Sequence, residues 1–121
     1  MLKTNFILLV LLLFLQISCS NESNHGCSVT TEIAQLPWLT KIINNGNTIY
    51  INGTTCNINK GATITEFTYN NSIVFDFINV GANAVTCNQA AFDCQGNQIT
   101  MTAGLTSFLT NSPNGKLIWQ K

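Results

Sequence analysis

The chain has 121 residues, only 8% of them charged, with five Lys, no Arg, five acidic side chains and a formal net charge of zero. That length suits one folded domain. A near-neutral, Arg-free surface argues against nucleic-acid binding, which needs clustered cations to displace phosphate counterions, and against steering of strongly charged partners.

Behind Lys3, residues 6–17 (FILLVLLLFLQI) form a twelve-residue run interrupted only by Gln16. A spanning helix needs about 20 predominantly apolar residues, whereas a secretory signal core is shorter and follows a basic start. Residues 1–18 are therefore expected to be a signal peptide. Two cleavage routes are open. Ser18 and Ser20 suit a cut after Ser20 that would release a soluble secreted protein. Ser18-Cys19 resembles the end of a bacterial lipobox, with cleavage before Cys19 and acylation of its sulfur.

The chain has five cysteines, and setting Cys19 aside leaves Cys27, Cys56, Cys87 and Cys94, an even set. This favours a lipid anchor at Cys19 that holds an exported protein to a bilayer of the bacterial envelope. Residues 19–30, with the polar stretch SNESNHG behind Cys19, are expected to be a flexible tether, and residues 31–121 a single domain. Four cysteines in an exported domain of this size are expected to form two disulfides, with three connectivities open. Zinc would need clustered Cys and His. Here the spacings are 29, 31 and 7, and the single histidine, His25, falls in the tether. No metal or other cofactor is expected.

In the domain, "LPWLTKIINNG" places Leu36, Leu39 and Ile42/Ile43 at helical spacing. Pro37 suits a first helical position and Gly46 the stop. After Gly46 the period changes from 3.6 to 2. Asn52-Gly53 sits between two β-prone runs and predicts a tight hairpin. "ATITEFTYNNSIVFDFINV" reads as two longer strands joined at Asn70-Asn71, with Phe67 opposite Val74. Ile64, Ile73, Phe75 and Phe77 would then share the other face. Strands are also expected within "AVTCNQAAF" and "QITMT", and over 116–120 after a Pro-Asn-Gly turn. The expected fold is α+β: one amphipathic N-terminal helix packed on an antiparallel sheet of about five to seven strands and stapled by disulfides.

The succession "LPWL", "ITEFTYNNSIVFDF", "TCNQAAFDCQGNQI" and "NGKLIWQK" resembles a family of small bacterial lipoproteins known only as a domain of unknown function. The resemblance covers most of residues 35–121. Its most specific parts are Leu36–Leu39 and Asp93–Asn97. It implies an exported, lipidated domain and supplies no catalytic residues.

For chemistry, a hydrolytic triad needs a base such as His within reach of a nucleophile. His25 lies in a tether, where a solvated residue is the expectation. Paired carboxylates could serve instead. Glu66 and Asp76 share the long hairpin, yet its register puts Asp76 with Thr65 and Phe67 and Glu66 on the other side. They are read as solvent-facing strand residues. Asp93 is expected to brace its own turn.

With no catalytic residue assigned, the chain is read as a non-enzymatic domain that binds a protein or glycan partner. Trp38, Trp119, Tyr50 and Tyr69 are the large amphipathic side chains of the kind that dominates interfaces; Trp119 and Tyr69 are the candidate binding side chains, and Trp38 a core residue. Two alternatives stand beside this reading. One is a secreted-protease inhibitor presenting residues 57–62 or 110–115. The other is a hydrolase using Glu66 and Asp76.

Overall fold

The computed structural model describes Cys27 and residues 36–121. The expected signal peptide, most of the tether, Cys19 and His25 lie outside the described residues.

Helix α1 (Pro37–Asn45) starts with proline in its first turn and ends at Gly46, whose N–H donates to the Ile42 carbonyl at 2.7 Å. Strands β1 (Thr48–Ile51) and β2 (Thr54–Asn57) then form a two-stranded antiparallel sheet. Their turn puts Asn52 at φ 49° and Gly53 at φ 79°. This is the doubly positive geometry that makes Asn-Gly favourable between strands with a right-handed twist.

The main sheet is five-stranded and antiparallel. It contains β3 (Thr63–Tyr69), β4 (Ser72–Ile78), β5 (Gln89–Phe92), β6 (Gln98–Ile99) and β7 (Lys116–Gln120), in the order β6-β5-β4-β3-β7. Phe67 pairs with Val74 across the Asn70-Asn71 turn. On β7 the register shifts, so that Trp119 lies opposite Ile64 and Leu117 opposite Thr65. The extra residue, Ile118, is the signature of a bulge, and both Ile118 and Trp119 pack against the larger core.

Two hydrophobic clusters occupy the two faces of the sheet. The larger holds Ile64, Phe75, Phe77, Ala90 and Phe92 under Leu36 and Leu39 of the α1 region and Ile49, Ile51 and Cys56 of the small hairpin. The smaller holds Phe67, Val74 and Ala91 under Leu105 and Leu109. Those two leucines belong to a second helix, α2 (Ala103–Asn111). The expectation of one helix followed only by strands therefore needs correction, as does that of a single sheet. Two helices and two sheets are present among the described residues.

The signals for α2 were there. Thr102 caps the helix, its hydroxyl accepting from the Leu105 N–H at 3.2 Å, and Leu105, Phe108 and Leu109 are spaced three and four apart. Glycine and several threonines dilute the helical propensity of this stretch, so burial of one apolar stripe has to supply the stability.

Both disulfides form. Cys27 pairs with Cys94 and Cys56 with Cys87. The first ties the chain before α1 to the end of β5. The second ties β2 to the 3₁₀ turn Val85–Cys87 that leads into β5. Such cross-links belong to an oxidising, exported environment. Among the described residues no helix is long and apolar enough to cross a membrane. Buried Asn79 adds a polar clamp: its amide donates to the Asn57 carbonyl and its oxygen accepts from the Asn59 N–H, each at 2.8 Å.

Leu39 is fully buried in the larger cluster. Leu39→Ala is expected to cost about 2–5 kcal/mol of unfolding free energy, read from denaturant melts. A loss below about half a kcal/mol would mean that α1 does not pack on the sheet.

Candidate functional site

Glu66 and Asp76 occupy adjacent strands, and their register separates them. Thr65 is the partner of Asp76, and Phe75 the partner of Glu66. Side chains alternate along a strand, so Glu66 lies on the face of the larger cluster and Asp76 on the α2 face. The two carboxyl groups cannot meet across one substrate.

The expectation that both face solvent is also overturned, since each is only 2% exposed. Asp76 accepts from Gln89 Nε2 at 2.9 and 3.2 Å on its two oxygens. Neither oxygen of Glu66 has a hydrogen-bond partner among the described residues, and Lys116 stands opposite it on β7. Burial pushes both carboxyls above their usual range. The Lys116 charge opposes this for Glu66, and the Gln89 hydrogen bond opposes it for Asp76.

Asp93 braces its own turn. Its carboxylate accepts from the Gln95 and Asn97 N–H groups at 2.9 and 2.8 Å and from Asn97 Nδ2 at 3.0 Å. Among the described residues no three His, Cys, Asp or Glu side chains cluster as a metal site requires.

The other sequence candidates are placed as follows. Trp119 is half-buried against the larger cluster. Tyr69 is half-buried with its ring 5.0 Å from that of Phe108 on α2. In residues 57–62, Ile58 and Ala62 are buried, and exposed Lys60 forms the tip. The loop before β7 is pressed onto the sheet. A Cβ at Gly115 would come within 2.5 Å of the Phe67 ring.

The larger opportunity lies elsewhere. An open groove of about 410 Å³ runs between α1 and the small hairpin. This is within the volume range of ligand sites, roughly 300–1,000 Å³. One wall is Trp38, Lys41, Ile42 and Asn45, a single helical face at spacings of three and four. The other is Thr48, Ile49, Tyr50 and Thr55 of the hairpin, and Phe92 and Gly96 complete the lining. Tyr50 is 66% exposed, and its direct cross-strand partner is Thr55.

Both walls are pinned from behind. The Trp38 indole N–H donates to the Cys94 carbonyl at 3.0 Å, and its ring sits 5.4 Å from Phe75 and 5.5 Å from Phe92. Gly96 makes room for it. At φ 82°, a Cβ there would fall 2.5 Å from Trp38 Cγ. The hairpin is held by Cys56–Cys87 and by two hydrogen bonds between Asn52 and Gln98, at 2.9 and 2.8 Å.

Among the described residues the groove has one charged side chain, Lys41, and no acid in its lining. The sequence ranks Trp119 and Tyr69 above Tyr50 as binding side chains, reads Trp38 as core, against which it does pack, and singles out nothing at Lys41. Alternation with buried Ile49 and Ile51 did mark Tyr50 as outward-facing, but nothing local marked α1 as the surface it faces. Compared with known proteins, the chain matches no family model, no curated protein and no solved structure.

Glu66 yields a pH prediction. Its folded pKa is raised, so its contribution to stability is fully present below the ordinary carboxyl value of about 4.3 and is lost as pH rises through the folded value. Glu66→Gln should stabilise the domain at neutral pH by about 1 kcal/mol, because the amide occupies the same buried site without the desolvated charge. The gap to the parent should close on acidification to about pH 4. Denaturant melts across that range check this, and a gap that widens towards acid would reverse the assignment.

Proposed function

We propose that this is a non-enzymatic, lipid-anchored domain of the bacterial envelope that binds a protein or glycan partner in the groove between α1 and the small hairpin. The observation that carries the reading is the groove itself. Aromatic surface from Trp38, Tyr50 and Phe92 and aliphatic surface from Ile42 and Ile49 are combined there with a few polar groups, on walls held in place by a disulfide and by hydrogen bonds. Recognition sites have this make-up, and a preformed site avoids the entropy cost of ordering its walls when the ligand arrives. Tyr50 leaves a large amphipathic ring in solvent, the kind of side chain that dominates binding energies.

Binding without catalysis is supported by the separation of Glu66 and Asp76 on opposite sheet faces. It is supported also by Asp93, whose carboxylate is occupied by its own turn. The anchor at Cys19 rests on the lipobox-like Ser18-Cys19 and on the four remaining cysteines, which pair among themselves. Membership of the lipoprotein family of unknown function belongs to the same proposal.

Two measurements test these points separately. Cys19→Ala should move the protein from the membrane fraction to the soluble one, and unchanged partition would defeat the anchor. For the groove, the mature protein is titrated with separated glycan and protein fractions of the envelope while tryptophan fluorescence is followed. One fraction should bind saturably, and Tyr50→Ala should weaken it about tenfold. Absence of any Tyr50-dependent binding would end the groove reading.

A further inference from the structure

From the composition of the groove we infer that its ligand is a saccharide carrying a carboxylate, with Tyr50 and Trp38 meeting a sugar face and Lys41 pairing with the acid. The inference rests on the groove being the binding site. Three features of the lining lead to it.

The first is shape. The apolar surface of this open groove includes the flat rings of Trp38 and Tyr50, and the polar groups beside them are hydroxyls and an amide: Thr48, Thr55, Tyr50 and Asn45. A pyranose has the complementary form, with an apolar C–H face bordered by hydroxyl groups. Asn45 donates its amide N–H to the Thr48 hydroxyl at 3.3 Å, which couples two of these polar groups.

The second feature argues against a peptide strand. Peptides that bind in extended form add to an open sheet edge and place alternate side chains in pockets. Here the direct cross-strand partners Tyr50 and Thr55 both line the groove, so its lining reaches across both hairpin strands rather than along one edge. Its opposite wall is a helix, which has no edge to extend.

The third is charge. Among the described residues Lys41 is the single charged side chain of the lining, and all three described acids are engaged elsewhere. Glu66 and Asp76 are buried in the sheet, and Asp93 is bound within its turn. One ammonium balances one carboxylate. A phosphate would carry about −1.5 to −2 charges and is matched best by several donors or by the fork of an Arg, a residue the chain lacks.

The test titrates the mature protein by calorimetry with sialyllactose, tetragalacturonate and a muramic-acid disaccharide, each beside its carboxamide form. At least one acid should bind about fivefold tighter than its amide at low ionic strength, the scale of an exposed ion pair. That preference should shrink with added salt and vanish in Lys41→Gln, whereas Tyr50→Ala should weaken both forms about tenfold.

Equal binding of acid and amide, still dependent on Tyr50, would overturn the acidic ligand and leave the groove reading intact. Failure of every saccharide would also overturn it, and Tyr50-dependent binding of an envelope protein fraction would then keep the groove. Saccharide binding indifferent to Tyr50→Ala would place the ligand outside the groove and overturn the inference.

Discussion

The packing of Trp38 holds the architecture together. Its ring lies edge-on to Phe75 and tilted against Phe92, its N–H is taken by the Cys94 carbonyl, and Gly96 lies too close for any side chain. One residue thereby joins α1, two central strands and the turn after β5. Cys94 is also half of the disulfide to Cys27, so the chain before α1 is fastened at the same place. A half-buried indole contributes through the large apolar area it covers when its N–H is satisfied. The groove is the outward side of this junction.

Scarcity of charge shapes the rest. With few ionised groups, the domain spends two of its three described carboxylates inside the sheet, where they cannot help solubility. Asp76 has a hydrogen-bonding neighbour in Gln89. Glu66 has none and is offset only by the charge of Lys116 across the strand pair. A carboxyl in that position is favoured in its neutral form, which makes β3 a weak point at neutral pH. The two disulfides constrain the unfolded chain and so oppose this loss. The sheet itself insulates one acid from the other.

Much of the fold was legible along the chain. The Asn-Gly and Asn-Asn turns, the strand register that follows from them and the helical spacing of residues 36–43 are local properties, set by which backbone angles a residue tolerates and by the period of its apolar neighbours. Helix α2 escaped because glycine and threonine weaken its local signal, and only the uncovered face of Phe67 and Val74 gives its apolar stripe something to bury. The opposite faces of Glu66 and Asp76 were readable from pairing alone, but their burial was not. Alternation tells which side a residue takes and leaves open what lies over that side.

Sequence by itself determined the α+β character, the hairpins, the even set of four cysteines and the absence of a cluster of cations, because each is written in composition or in spacing over a few residues. Tertiary structure alone decided which cysteines pair, that the hairpin β1–β2 stands apart from the main sheet, and that Tyr50 faces Lys41 and Trp38 across a groove. Those outcomes join segments up to 67 residues apart, and they depend on how two layers fit over one sheet face, a matter of shape that no local pattern encodes.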